Sequence, residues 1–221
     1  MSSATLAGFP PAEPGHISRV QCALSLTFDD GPDPTWTPRV LDELQRCGVR
    51  ATFFMVGERV LVHPDIARRV LAGGHDVQLH CHRHIRHTEL SETELAHDTA
   101  KALDALAAVG VQPRLWRTPW GVATAATRRL ASQLGLQLVR WSIDTHDWRG
   151  DPPQRTLDHL RRRLADGGAV LMHDALGPGA TRAGCQNTLA LLPLLTAAGQ
   201  SHGLALTPMC CPAPRASGVP A

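Results

Sequence analysis

The sequence predicts a single α/β domain folded as a distorted (β/α) barrel of about seven parallel strands. Three observations lead there. At 221 residues the chain is long enough for one sizeable core. Near-continuous apolar runs, the pattern of strands covered on both faces, alternate with amphipathic helical stretches along most of its length. Residues able to do chemistry fall where the strand patterns stop, as they do at the C-terminal mouth of a barrel. Strand then helix, repeated, implies parallel strands joined by crossovers, and a closed or partly closed barrel suits that order better than an open sheet.

The strand candidates are Ala23–Phe28, Ala51–Val56, Asp76–Leu79, Arg114–Arg117, Leu138–Ile143, Ala169–Met172 and Leu204–Pro208. Between them, Thr37 and Pro38 can cap and start a helix that ends at Gly48. Ser91 and Glu94 fit a capping box for a helix through about Val109. Residues 124–134, 154–165 and 188–198 carry the other helical patterns. Residues 1–20 and 210–221, rich in Pro, Gly, Ala and Ser, are expected to be a flexible N-terminal segment and a Pro-rich tail flanking a domain over 21–209.

Composition excludes several classes. Hydrophobic residues are 43% and charged residues 19%, an ordinary globular balance. A net charge of +2 gives no field that would gather nucleic acid or an anionic membrane. The basic run Arg161-Arg162-Arg163 lies in a helical pattern and fits a solvated face. No apolar run is long enough to span a bilayer, and no basic-then-apolar leader is visible, so a cytoplasmic protein is expected. None of the six cysteines forms a C-x-x-C pair, and reduced thiols are expected. Cys22 and Cys47 read as small hydrophobes, and Cys210 and Cys211 open the tail.

Strand one stops at Asp29-Asp30-Gly31-Pro32. Two adjacent carboxylates cannot both point into an apolar core. One reading is a turn, since Asp-Gly and Gly-Pro are turn dipeptides. The other divides the labour: one Asp binds a metal and its neighbour accepts a proton from water. Strand three ends in Leu79-His80-Cys81-His82-Arg83-His84. On one helical turn His80 and His84 share a face, and their imidazoles can converge on one ion. Two His and one carboxylate leave positions open for water and substrate. His82 and His87 are weaker ligand candidates, and the position of Cys81 favours a structural role. Taken singly, Arg117 before a Pro reads as surface, a Trp at a strand end as core, and His173 as a structural histidine. Asp144 could simply bond loop backbone.

Together these segments resemble the NodB-homology polysaccharide deacetylases, carbohydrate esterase family four. Thr27-Phe28-Asp29-Asp30-Gly31 is similar to that family's first motif, and His80 through His84 to its H-x-x-x-H metal motif. Arg117-Thr118-Pro119-Trp120-Gly121, Asp144-Thr145-His146-Asp147-Trp148 and Leu171-Met172-His173-Asp174 resemble the three that follow, in the family's order, so the resemblance runs over roughly residues 21–209. Length and layout resemble the compact chitooligosaccharide deacetylases. The resemblance implies the NodB-homology barrel and metal-dependent removal of an N-acetyl group from an N-acetylglucosamine-containing oligosaccharide or glycoconjugate.

It also implies roles. Asp29 would be the general base, paired with Arg117. Asp30, His80 and His84 would hold a divalent metal, zinc or in some members cobalt. The backbone N–H of Trp120 would bind the oxyanion. His173 would be the general acid, supported by Asp147. Asp144, Trp148 and Leu171 would line the substrate groove, with Leu171 near the acetyl methyl. An N-acetylated sugar would be the partner of a monomeric enzyme. The sequence departs from the family at Cys81, where Thr or Ser is usual, at His82, where an aromatic is usual, and at Ile85, where Pro is common. These changes give an unusual, cationic rim and bear on the substrate. The alternatives are a hydrolase of the same fold acting on a non-sugar amide or imide, or on an acetylated sugar of a natural product, and a non-catalytic sugar-binding protein.

Overall fold

A computed structural model describes residues 23–209. The flanking segments, with Cys22, Cys210 and Cys211, lie outside the described residues.

In chain order the strands are β1 (Ala23–Asp29), β2 (Thr52–Val56), β3 (Asp76–Cys81), β4 (Leu115–Trp116), β5 (Gln137–Leu138), β6 (Ile143–Asp144), β7 (Gly168–His173) and β8 (Ala205–Leu206). Every pairing among them is parallel, in the order β5-β4-β3-β2-β1-β7-β6, with β8 beside the start of β1. The helices are α1 (Trp36–Cys47), α2 (Gly57–Val62), α3 (Pro64–Ala72), α4 (Glu92–Ala107), α5 (Ala125–Gln133), α6 (Pro153–Leu164) and α7 (Gln186–Ser201). Helices follow strands around a curled sheet, so the distorted (β/α) barrel is the observed architecture. No described helix is long and apolar enough to cross a membrane.

Strands β1 and β2 are buried almost throughout: Leu24, Leu26, Phe28, Phe53 and Met55 have no exposed surface. Both faces of these strands are buried, one under the surrounding helices and one inside the curled sheet, which is why their apolar runs are continuous rather than alternating. Helix α4 begins with the expected capping box, Ser91 accepting from the Glu94 N–H while Glu94 accepts from the Ser91 N–H. Helix α5 is capped by Thr124 in the same way, with Thr127 as its reciprocal partner. Helix α1 ends at a left-handed Gly48 with φ 67°, a conformation glycine adopts without strain. Its start differs from expectation. The helix begins one residue before Thr37, and Asp33 caps it by accepting from the N–H groups of Thr35 and Trp36.

Two further differences matter for function. The single strand expected over Leu138–Ile143 is two strands. Its first part, β5, joins β4 at one edge of the sheet, and its last part, β6, joins β7 at the other. Helices α2 and α3, which the sequence pattern did not single out, fill the β2–β3 crossover.

Candidate active site

The C-terminal ends of the strands open into a cavity of about 370 Å³. It is lined by Asp29, Asp30, His80, His84, Trp120, Asp144, Trp148, Leu171 and His173, together with Arg86, Trp141 and residues from Ala175 to Ala180. Nine of the eleven residues singled out in the sequence therefore face one space. Arg117 and Asp147 stand behind it and act through neighbours. Parallel pairing explains part of this convergence, since Asp29 at the end of β1 is in register with His173 at the end of β7.

Asp30 sits in the left-handed region, with φ 77°, just past the end of β1. This turn separates the two carboxylates. Asp29 accepts from Arg117 Nη1 at 2.9 Å, and the same nitrogen donates to Thr27 Oγ1 at 2.7 Å. Asp30 instead faces two imidazoles, with its Oδ1 3.4 Å from His80 Nε2 and 3.2 Å from His84 Nε2. Arg117 is fully buried, with its guanidinium carbon 4.1 Å from the Phe54 ring centre. A guanidinium so placed requires an anion, and Asp29 is that anion.

The set Asp30, His80 and His84 fits a divalent cation. Its ligand atoms lie within 4.8 Å of one another, and Asp30 Oδ1 is buried with no hydrogen-bond donor. His80 Nδ1–H donates to the Arg117 carbonyl at 2.6 Å, which fixes the ring and leaves the Nε2 lone pair facing Asp30. Burial opposes the Asp30 charge, yet the two histidines and His173 hold its carboxyl well below the usual range. The three donors are one carboxylate and two imidazoles, the pattern of an open catalytic site rather than a closed structural one.

The convergence is not helical, as the spacing had suggested. His80 lies within β3, and His84 reaches it from the loop beyond. Their rings are 5.1 Å apart, and Trp120 packs edge-on against His84 at 4.2 Å. His82 and His87 are not part of the set. Gly57 packs against His82 Nδ1, while His87 bonds Thr127 and lies against Trp116. Cys81 is buried in β3, where burial and the nearby carboxylates push its thiol well above the ordinary range. A thiol held neutral in this way is a packing group.

His173 Nδ1–H donates to Asp147 Oδ1 at 2.7 Å, and the His173 backbone N–H donates to Asp147 Oδ2 at 2.9 Å. Burial disfavours the imidazolium, but the charge and hydrogen bond of Asp147 outweigh it, aided by Asp30 and Asp29, and His173 is raised to about 9. Asp147 is correspondingly lowered to about 2 against its own burial, with Arg182 and Thr188 contributing as well as His173. Asp144 accepts from the His146 N–H at 2.8 Å, so it braces the loop as well as lining the cavity. Trp120 has φ 52° and stands in a tight turn over Pro119–Gly121. Asp174 is buried behind the first turn, where its carboxylate lies against Gly31 and accepts from Thr37.

Several lining residues had no sequence signal of their own. Trp141 lies in the gap between β5 and β6, inside what read as one strand. Arg86, by contrast, was expected as part of the cationic rim, and it stacks over Trp120 at 4.2 Å. The run Gly177-Pro178-Gly179 could have been noticed as a turn following His173, and it forms one wall. Gly177 is packed so closely that a Cβ there would be 1.9 Å from Asp30 Oδ2.

The polysaccharide deacetylase family model matches residues 19–139. The chain is similar to a chitooligosaccharide deacetylase of Bradyrhizobium sp. (strain ANU 289), 37% identical over 174 residues, covering 76% of this chain and 78% of that protein. It is also similar to a peptidoglycan-N-acetylglucosamine deacetylase of Bacillus cereus, 35% identical over 153 residues, covering 68% of this chain and 72% of that one. Among solved structures, a family 4 carbohydrate esterase from Streptomyces lividans in complex with acetate superposes with a TM-score of 0.76 at 29% identity, covering 85% of this chain and 92% of the other.

Proposed function

The chain belongs to the polysaccharide deacetylase family, and from that premise we propose that it hydrolyses the N-acetyl group of an N-acetylglucosamine-containing oligosaccharide or glycoconjugate, releasing acetate and a free amine. The observation that carries the proposal is the meeting of three groups at one cavity. These are the Arg117-held Asp29, the cluster Asp30, His80 and His84, and the Asp147-held His173.

Asp30, His80 and His84 would hold a divalent ion, for which zinc is proposed, with cobalt able to replace it. When bound, such an ion acidifies water towards a pKa of about 7 and polarises a carbonyl. Asp29 takes the proton from the attacking water, with Arg117 fixing which oxygen points outward. The Trp120 N–H would donate to the developing oxyanion, and losing one such donor typically costs about 3 kcal/mol. His173, held cationic by Asp147, delivers its Nε2 proton to the leaving nitrogen, a step worth roughly 10²–10⁴-fold. Leu171 would offer an apolar surface to the acetyl methyl, and Trp120, Trp141 and Trp148 give the cavity aromatic walls for sugar rings.

The test measures acetate and amine release from N-acetylated chitooligosaccharides, with metal-stripped protein and with protein given back zinc or cobalt. Equal release of both products that returns with metal is the expected result. One bound metal equivalent without release would move the substrate away from this class, and absence of metal binding would overturn the mechanism.

A further inference from the structure

We propose that Arg182 is a positioning residue for the His173–Asp147 pair, holding the acid's imidazole from behind through both the carboxylate and the end of strand β7. This inference rests on the reading of His173 as the general acid.

Arg182 belongs to the loop between β7 and α7, nine residues beyond His173, and to no segment that resembles a family motif. Its side chain is only 3% exposed. A buried guanidinium is costly unless its donors and charge are answered. Here Nη1 donates to Asp147 Oδ2 at 2.9 Å, to the Asp147 carbonyl at 3.2 Å, and to Thr188 Oγ1. Nη2 donates to the His173 carbonyl at 2.9 Å, reaches the Ala175 carbonyl at 3.4 Å, and lies 3.1 Å from Cys185 Sγ.

Two consequences follow for the imidazole. Thr188 donates to Asp147 Oδ2 at 2.7 Å, so Oδ2 is held by Arg182, Thr188 and the His173 N–H. Oδ1 is thereby turned to His173 Nδ1. The backbone of His173 is fixed on both sides, its N–H by Asp147 and its carbonyl by Arg182. A ring anchored at Nδ1, on a backbone anchored at both ends, keeps Nε2 facing the cavity. The forked guanidinium suits this task because one planar group reaches both anchors at once, which an ammonium cannot do.

The experiment compares wild type, Arg182→Gln, Arg182→Lys, Asp147→Asn and the Asp147→Asn/Arg182→Gln double variant, each checked for folding and metal content. Three readouts are taken: kcat, KM, and the NMR signal of the hydrogen-bonded His173 Nδ1–H in the substrate-free protein. Arg182→Gln is expected to lower kcat by about 10–100-fold with KM within about threefold, since misplacement of about 1 Å at a reacting group costs that much. The Nδ1–H signal should shift or broaden. In the Asp147→Asn background the same change should cost little more, because both act through one pair. Arg182→Lys should recover part of kcat. Full additivity in kcat, or an unchanged Nδ1–H signal, overturns the proposal. Should Arg182→Gln not fold, Arg182→Lys is judged instead, by a smaller kcat loss at unchanged KM and by the same change in the Nδ1–H signal. A wild type without deacetylase activity refutes the function, and the NMR comparison still decides the role of Arg182.

Discussion

Asp147→Asn isolates the electrostatic half of the acid's environment. With Asp147 present, His173 is raised from the ordinary 6.5 to about 9 even though burial pulls it down. At 1.36 kcal/mol per pKa unit, that rise is about 3 kcal/mol of preference for the cation. Asparagine keeps the shape but removes the charge, so burial acts with less opposition and the pKa should fall back to about the ordinary 6.5. At pH 8 the protonated fraction would drop from about nine tenths to a few per cent, a loss of roughly 30-fold from protonation alone. At pH 6 both proteins hold mostly cation, and only the orientation penalty remains. A bound divalent ion would cancel part of what Asp29 and Asp30 contribute and leave the share from Asp147, so the displacement survives metal loading. The sign for stability is separate. The raised histidine contributes fully below about 6.5 and loses its contribution as pH rises through about 9. The lowered Asp147 contributes fully above about 4 and loses it as pH falls through about 2. The stability gap between wild type and variant should therefore be widest from about pH 4 to 6.5, and larger than the pair alone gives, because Arg182 is left buried without its anion. The assay is kcat against pH by acetate release, alongside urea unfolding across the same range. An alkaline limb that stays put while kcat falls equally at every pH would refute the reasoning.

Asp29→Asn should retain metal affinity within about tenfold and lose about 10²–10⁴ in kcat, measured by metal titration beside turnover; full activity would remove Asp29 as the base. It should also lose stability, since Arg117 has no other carboxylate among its hydrogen-bond partners. Gly177→Ala sets a Cβ 1.9 Å from Asp30 Oδ2, where ordinary contact starts at 3.4 Å, so the carboxylate or the loop must yield by about 1.5 Å. Metal affinity should weaken about 10–100-fold by competition with a chelator, and an unchanged affinity would show that the loop gives way without disturbing the ligand. Ser91→Ala removes the α4 capping box at an exposed position outside the cavity lining, and should cost about 1 kcal/mol in urea unfolding with kcat unchanged.

What the sequence made legible was local. Strand β1 ends where its apolar run meets Asp29-Asp30, and the Ser91–Glu94 box starts α4, because both signals lie within a few residues of what they determine. The α2–α3 crossover was missed for a related reason. Gly57 opens the first helix and Pro64 the second, so neither six nor nine residues carries enough periodic pattern to stand out. The approach of His84 to His80 was anticipated, but its geometry was not, because strand β3 runs on to Cys81 and the loop supplies the return. Arg182 was not legible at all, and Gly177 was legible only as part of a turn. Their importance comes from contacts with Asp147 and Asp30, which are distant in sequence and brought near only by the closed fold.

The split between β5 and β6 shows why the barrel is distorted where it is. A sheet ordered from β5 to β6 has those two short strands as its edges, and they belong to one stretch of chain. Residues 139–142 therefore cross the seam. The Val139 N–H bonds the Trp116 carbonyl on one side, and the Ser142 N–H bonds the Ala169 carbonyl on the other. A regular strand there would bury its side chains in the barrel wall. The irregular crossing instead leaves Trp141 facing the cavity and places the Arg140 carbonyl 3.4 Å from Arg117 Nη2. Small residues make the crossing possible, since a Cβ on Gly121 would meet the Trp141 ring at 2.8 Å and one on Gly168 would meet Ser142 Oγ at 2.2 Å. Both glycines also have positive φ, at 66° and 120°. The seam thus trades one strand's hydrogen bonds for an aromatic wall of the cavity and a brace for the arginine that holds Asp29.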